Sequence, residues 1–154
     1  MKKILTILIT ILTVFSFSSC LNSGLEALPE YGDADILSVD RVEHRYYVKG
    51  TTPAQGDQLV KNATLSHDAK VDKTASTVAI TVTVPNSFPE AELSNLKNSE
   101  LVVVLNLSPA TRLTPLDGSA TLGIPADWSK ANTYSIKAAD GTTKVWTVTL
   151  TLNR

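Results

Sequence analysis

Between Thr77 and Val84 the chain alternates without a break. Val78, Ile80, Val82 and Val84 fall on one side, and Thr77, Thr81 and Thr83 on the other. A period of two in β-branched residues is the mark of a strand with one dry and one wet face. The same period returns at the carboxyl end, in Thr133–Ala138 and again in Val145–Leu152. Asp140-Gly141 lies between those two runs, a hairpin signal whose usual turn sets both central residues at positive φ. The alternation aims Trp146, Val148, Leu150 and Leu152 at a core. Such a chain is committed to sheets.

The remaining elements are read on the same footing. Ile36–Val39 and Val42–Val48 form one long or bent strand, and Thr51–Gly56, with Pro53 and Gly56, forms a turn. Glu100–Leu107 is a nearly continuous apolar run, expected in the middle of a sheet. Pro109–Gly123 reads as loop with a short strand near Ala120–Leu122. One short helix is expected from Ser87 to about Asn95. There Ser87 and Glu90 have the spacing of a capping box, Pro89 suits the first turn, and Phe88, Leu93 and Leu96 would pack inward. Six to eight strands, one helix and no βαβ spacing predict an all-β antiparallel sandwich, its last strand beside a partner other than its hairpin mate.

The amino terminus carries a separate message. Lys2 and Lys3 precede an apolar stretch from Ile4 to Phe17, and Phe17-Ser18-Ser19-Cys20 closes it. A basic start, an apolar run of about 14 residues and small residues before a cut describe a secretory signal; a spanning helix needs about 20. Cys20, the one cysteine, would become the first residue after cleavage, and no disulfide is open to it within the chain. The segment resembles a bacterial lipobox, with Phe17 and Ser19 where Leu and Gly or Ala are usual. That resemblance implies palmitate-type acylation of Cys20, and enough acyl chains for stable anchoring. Leu21 rather than Asp after the cysteine favours the outer membrane, facing the periplasm or the surface. The alternative is a plain secreted protein with a free thiol. The expected organisation is signal peptide 1–19, lipidated cysteine and flexible tether 20–33, and sandwich domain 34–154.

Of the 14 Lys and Arg, Lys2 and Lys3 leave with the signal, so 15 acids face 12 bases in the mature chain. That balance offers no general attraction to nucleic acid or anionic lipid, and no nucleic-acid partner is expected. His44 and His67 are the two histidines, too few and too poorly spaced for a metal centre, so no metal or cofactor is expected. There is no nucleophile elbow and no phosphate-binding glycine loop. No catalytic residue is assigned.

The segment Asn132–Leu150, with Tyr134, Ile136, Ala138, Asp140-Gly141, Lys144, Trp146 and Val148, resembles a recurring ending of immunoglobulin-like domains. These domains, of unknown function, occur in lipoproteins of gut-type Gram-negative anaerobes. Leu93, Leu96, Pro115, Gly118 and Asp127-Trp128 extend the similarity to about residues 70–152. The resemblance implies an immunoglobulin-like fold, and association with carbohydrate-metabolism or polysaccharide-uptake proteins. Sugar rings stack on aromatic planes, so Trp128, Asp127, Tyr46 and Tyr47 are the candidate ligand residues, with Asn132 nearby; Trp128 would otherwise plug the end of the sandwich. On the first view Trp128→Ala weakens retention on polysaccharide and leaves the melting temperature unchanged. The expected role is a non-catalytic binding or accessory module for a glycan or a neighbouring envelope protein. The alternative is a structural spacer or adhesion-type subunit that associates through a sheet edge.

Overall fold

A computed structural model describes residues 31–50, 56 and 58–154. The fold is all-β. Seven strands run in chain order: β1 (Ile36–Lys49), β2 (Gln58–Asp72), β3 (Thr77–Thr83), β4 (Leu101–Leu107), β5 (Arg112–Leu116), β6 (Asn132–Lys137) and β7 (Thr143–Asn153). They form one mixed sheet in the order β4-β1-β2-β3-β7-β6-β5. The sheet is curled because β2 serves two neighbours. Its first half, to Leu65, pairs with β1, and its second half, from Ser66, pairs with β3. Side chains from β1 and β4 therefore meet those of β3, β6 and β7 in a single core, a sandwich-like arrangement.

The alternating runs behave as their period requires. Val78, Ile80 and Val82 are buried while Thr77, Thr81 and Thr83 are exposed. Trp146, Val148 and Leu150 are buried from β7, and each such aliphatic side chain contributes about 1.5–3 kcal/mol by leaving water. β1 is the long bent strand expected. Its pairing with β4 shifts register between Ile36 and Ser38 and again between Val39 and Arg41. An extra residue at each bulge reverses which side faces in, so Ile36, Val39 and Val42 are all buried despite a spacing of three.

Several expectations are corrected. The sheet is not wholly antiparallel: β3 and β7 run parallel, from Thr77 opposite Thr147 to Thr83 opposite Asn153. No tight turn joins these strands, so nothing local dictates their direction. β2 itself went unassigned in the sequence, because its inward positions include Ala63, His67 and Ala69 beside Leu65 and Val71, a weak apolar signal. β4 lies at one end of the sheet rather than in its middle. Its apolar run is explained by cover on both sides: Leu101 and Val103 join the core, Val102 is also buried, and the free edge receives N–H bonds from Gly123 to Val103 and from Ala126 to Leu101. The short strand lies at β5, not at Ala120–Leu122; Pro115 is tolerated there because β5 is the other edge.

The helix is replaced by a 3₁₀ turn over Glu90–Glu92, with Pro89 at its N-cap and no side-chain cap. Proline disfavours helical geometry in the residue before it, so Phe88 cannot join a helix begun at Ser87. Phe88 and Leu96 are buried as expected, but Leu93 is exposed. The β6–β7 hairpin stands where Asp140-Gly141 put it, though with a different turn. Only Gly141 takes positive φ (92°), and the loop closes through Gly141 N–H to Ala138 O and Ala138 N–H to Thr142 O.

The start of the domain is tied down. The Trp146 indole donates to Ala34 O at 2.9 Å, and the buried Asp35 carboxylate takes Lys144 at 2.7 Å and Lys73 at 3.8 Å. Asp140 N–H bonds Tyr31 O, so residues 31–33, expected in the tether, lie against this hairpin turn. The signal segment, Cys20 and tether residues 20–30 lie outside the described residues, as do residues 51–55 of the expected turn.

Candidate ligand-binding face

The β1–β2 pair places the predicted aromatics. Along a strand, neighbours point to opposite faces, so Tyr46 and Tyr47 cannot share a platform. Tyr46 turns inward, half-buried, its ring parallel to the buried His44 ring at 6.0 Å. Tyr47 turns outward and is 63% exposed, directly opposite Val60, itself 58% exposed. An aromatic and a β-branched residue facing each other across a sheet are a stabilising pair; here the pair also offers an open apolar surface.

The residues around it are fixed by the same register. Arg45 stands opposite Asn62, and Lys49 opposite Gln58. Arg45 Nε donates to Asn62 Oδ1 at 3.2 Å, and its Nη2 donates to Gly123 O at 3.4 Å. The guanidinium is thereby held across the outer face. Arg45, Val60 and Asn62 were not singled out in the sequence. With β2 unassigned nothing placed them beside Tyr47.

Asp127 and Trp128 diverge. Asp127 is exposed and binds Ser129, whose N–H and hydroxyl donate to Oδ1 at 2.9 and 2.5 Å. These bonds, the hydroxyl's first, hold the Asp127 carboxyl below the usual aspartate range. Trp128 is wholly buried. Its Nε1–H donates to Leu101 O at 3.0 Å, its backbone N–H to Asn98 O at 2.8 Å, and its ring stacks near Tyr134 at 6.5 Å. No face of the indole is open to a ligand, so Trp128 is the plug and not the platform. Asn132 is likewise interior, accepting from Ala120 N–H and donating to the carbonyls of Asp127 and Lys130. It shapes the loop.

A concavity of about 720 Å³ lies between the Val84–Leu96 segment and the carboxyl end. Val84, Phe88, Leu93 and Leu96 give it an apolar lining, with Glu90 and Arg154 at its rim, and Arg154 donates to Leu96 O. Behind Phe88 sits His44, 3% exposed, with neither ring nitrogen hydrogen-bonded; the nearest carboxylate oxygen, on Glu92, is 3.5 Å away. His67 is elsewhere, its ring nitrogen 3.4 Å from Val39 O. Among the described residues no three His, Cys, Asp or Glu converge as metal ligands do, and none of their helices is long and apolar enough to cross a membrane.

The family profile described as DUF5018-related matches residues 36–149. The chain belongs to this family. The DUF5018-related match begins on the first residue of β1 and ends within β7, so six strands, most of the seventh and the Tyr47 face lie inside it. A crystal structure of a "putative secreted protein" from Bacteroides fragilis is similar at 39% identity and a TM-score of 0.72, over 82% of this chain and 100% of that one. No curated protein matches.

Proposed function

We propose that this DUF5018-related protein is a lipoprotein anchored in the outer membrane through Cys20, whose immunoglobulin-like domain serves as a non-catalytic glycan-binding or accessory module. The observation that carries the binding role is Tyr47, exposed on a rigid strand beside Val60, with the amide of Asn62 and the guanidinium of Arg45 on the same face. A pyranose ring lays its C–H face on such an aromatic plane, and the polar neighbours bond its hydroxyls. The site sits on strands rather than loops, which keeps its geometry fixed. The relative described as a "putative secreted protein" is compatible with an envelope location. Association through a sheet edge is less well supported: the β4 edge is occupied by Gly123 and Ala126, and β5 is short and interrupted by Pro115.

Two measurements test the proposal. Metabolic labelling with a palmitate analogue should mark the wild-type protein in the outer-membrane fraction and fail on Cys20→Ala; an unlabelled protein would end the anchoring half. For binding, the full-length protein should be retained on at least one member of an insoluble polysaccharide panel. Tyr47→Ala should lose that retention while the melting temperature falls by no more than about 5 °C, the share of one cross-strand pair. A wild-type protein retained by no glycan overturns the binding half.

A further inference from the structure

We infer that the glycan taken by the Tyr47 face carries carboxylate groups, as a uronic-acid polysaccharide does; this rests on the glycan-binding reading above. The register builds two parallel rows on the outer face. On β1 the row is Arg45, Tyr47, Lys49, and on β2 it is Asn62, Val60, Gln58, each residue opposite its counterpart. A cation thus stands on either side of the aromatic ring, and a neutral amide on either side of the valine. Side chains two apart on one face are separated by about 6.5–7 Å, so Arg45 and Lys49 lie about 13–14 Å apart with Tyr47 midway. A ring seated on Tyr47 brings carboxylates on it and on its neighbours within reach of both cations.

The charge of this face runs against that of the chain, whose formal net charge is −1. Continuing along β1, the next outward acid is Glu43, and its carboxylate is taken by Arg41 Nε at 3.2 Å. Along β2 the next outward residues are Thr64 and Ser66. Among the described residues neither Arg45 nor Lys49 has a carboxylate partner. Arg45 is oriented only by neutral oxygens, those of Asn62 and Gly123. Of its five N–H donors, two are engaged in these bonds. A planar guanidinium held this way is matched to a carboxylate, which it can grip through two parallel bonds. The fixed, unneutralised fork selects a carboxylate over a hydroxyl. The apolar ring beside it selects a sugar over a free anion.

The test is affinity electrophoresis of the full-length protein in detergent, with polygalacturonate, alginate, a neutral xylan, dextran and dextran sulfate in the gel. The expected result is retardation by a polyuronate at least tenfold stronger than by xylan or dextran, falling steeply as salt rises. Tyr47→Ala should abolish it, and Arg45→Gln and Lys49→Gln should each weaken it at least fivefold. Lys49→Gln is the safer variant, since Lys49 holds no hydrogen bond among the described side chains, whereas Arg45 also braces Gly123 O. Equal binding to neutral and uronate glycans, or unchanged uronate binding in Lys49→Gln, overturns this inference while leaving the glycan-binding reading intact. Retardation by dextran sulfate that survives Tyr47→Ala, without polyuronate preference, also overturns it, as charge attraction alone. Binding to none of the five overturns both.

Discussion

Replacing Trp128 by alanine separates a buried plug from a sugar platform. The indole is fully enclosed, so its removal leaves a cavity that the surrounding β4, β6 and loop residues can fill only in part. Tryptophan-to-alanine changes in cores cost about 3–5 kcal/mol. The lost hydrogen bond adds little, because Leu101 O accepts from Ala126 N–H at 3.1 Å as well as from Trp128 Nε1 at 3.0 Å, so the carbonyl is not orphaned. A domain of this size loses roughly 3–5 °C of melting temperature per kcal/mol, which puts Trp128→Ala about 9–25 °C below wild type. Trp128→Phe keeps a ring in the space and should cost about 1–2 kcal/mol. Urea unfolding followed by far-ultraviolet circular dichroism measures both, with the slope unchanged if only the native core is affected. A Trp128→Ala protein that melts with wild type but no longer binds its glycan would refute the burial argument and restore the indole as a ligand contact.

Tyr134 and His44 offer two further checks. The Tyr134 hydroxyl donates to Ala120 O at 2.7 Å from full burial, and burial pushes the phenol above the usual tyrosine range near 10. The folded state therefore keeps a proton that the unfolded chain gives up. The contribution is intact below about pH 10 and declines as pH climbs from there toward the folded value. Tyr134→Phe should cost about 1–2 kcal/mol at neutral pH and show a shallower alkaline decline than wild type; parallel pH–stability curves would contradict this. His44 is buried with both ring nitrogens unbonded, stacked on Tyr46 and near Phe88. Since an unsatisfied buried polar group costs about 1–3 kcal/mol, His44→Phe should leave the melting temperature unchanged or raise it, and a fall of more than a few degrees would show that His44 has a partner.

The sequence carried the parts of the fold whose signal is local. Thr77–Val84 and Val145–Leu152 alternate without exception, and the Asp140-Gly141 hairpin stands between its predicted strands, because period and turn chemistry act over a few residues. What failed depends on distant packing. β2 is a 15-residue strand hidden by small and polar inward residues, and its pleat makes sense only once β1 and β3 flank it. The parallel pairing of β3 with β7 joins segments about seventy residues apart, and no periodicity encodes such a choice. At Phe88-Pro89 two local rules competed. The capping-box spacing argued for a helix, the proline against helical geometry just before it, and the proline prevailed.

The same distinction explains the candidate site. Tyr47 was legible as outward-facing because its strand alternates, but its partners were not. Val60, Asn62 and Gln58 become its neighbours through a register fixed across the β1–β2 pair, not through any motif. Conversely, Asp127-Trp128 looked like a site because polar and aromatic residues adjoin in sequence. The structure sends one side chain outward and the other into the core, as Leu101 and Tyr134 require. Adjacency along a chain is weak evidence for a shared surface in β proteins, where consecutive side chains face apart. A sheet surface is assembled from residues two apart on one strand and opposite one another on the next. The row of Arg45, Tyr47 and Lys49 against Asn62, Val60 and Gln58 is such a surface, and the β1–β2 register is what brings its six residues together.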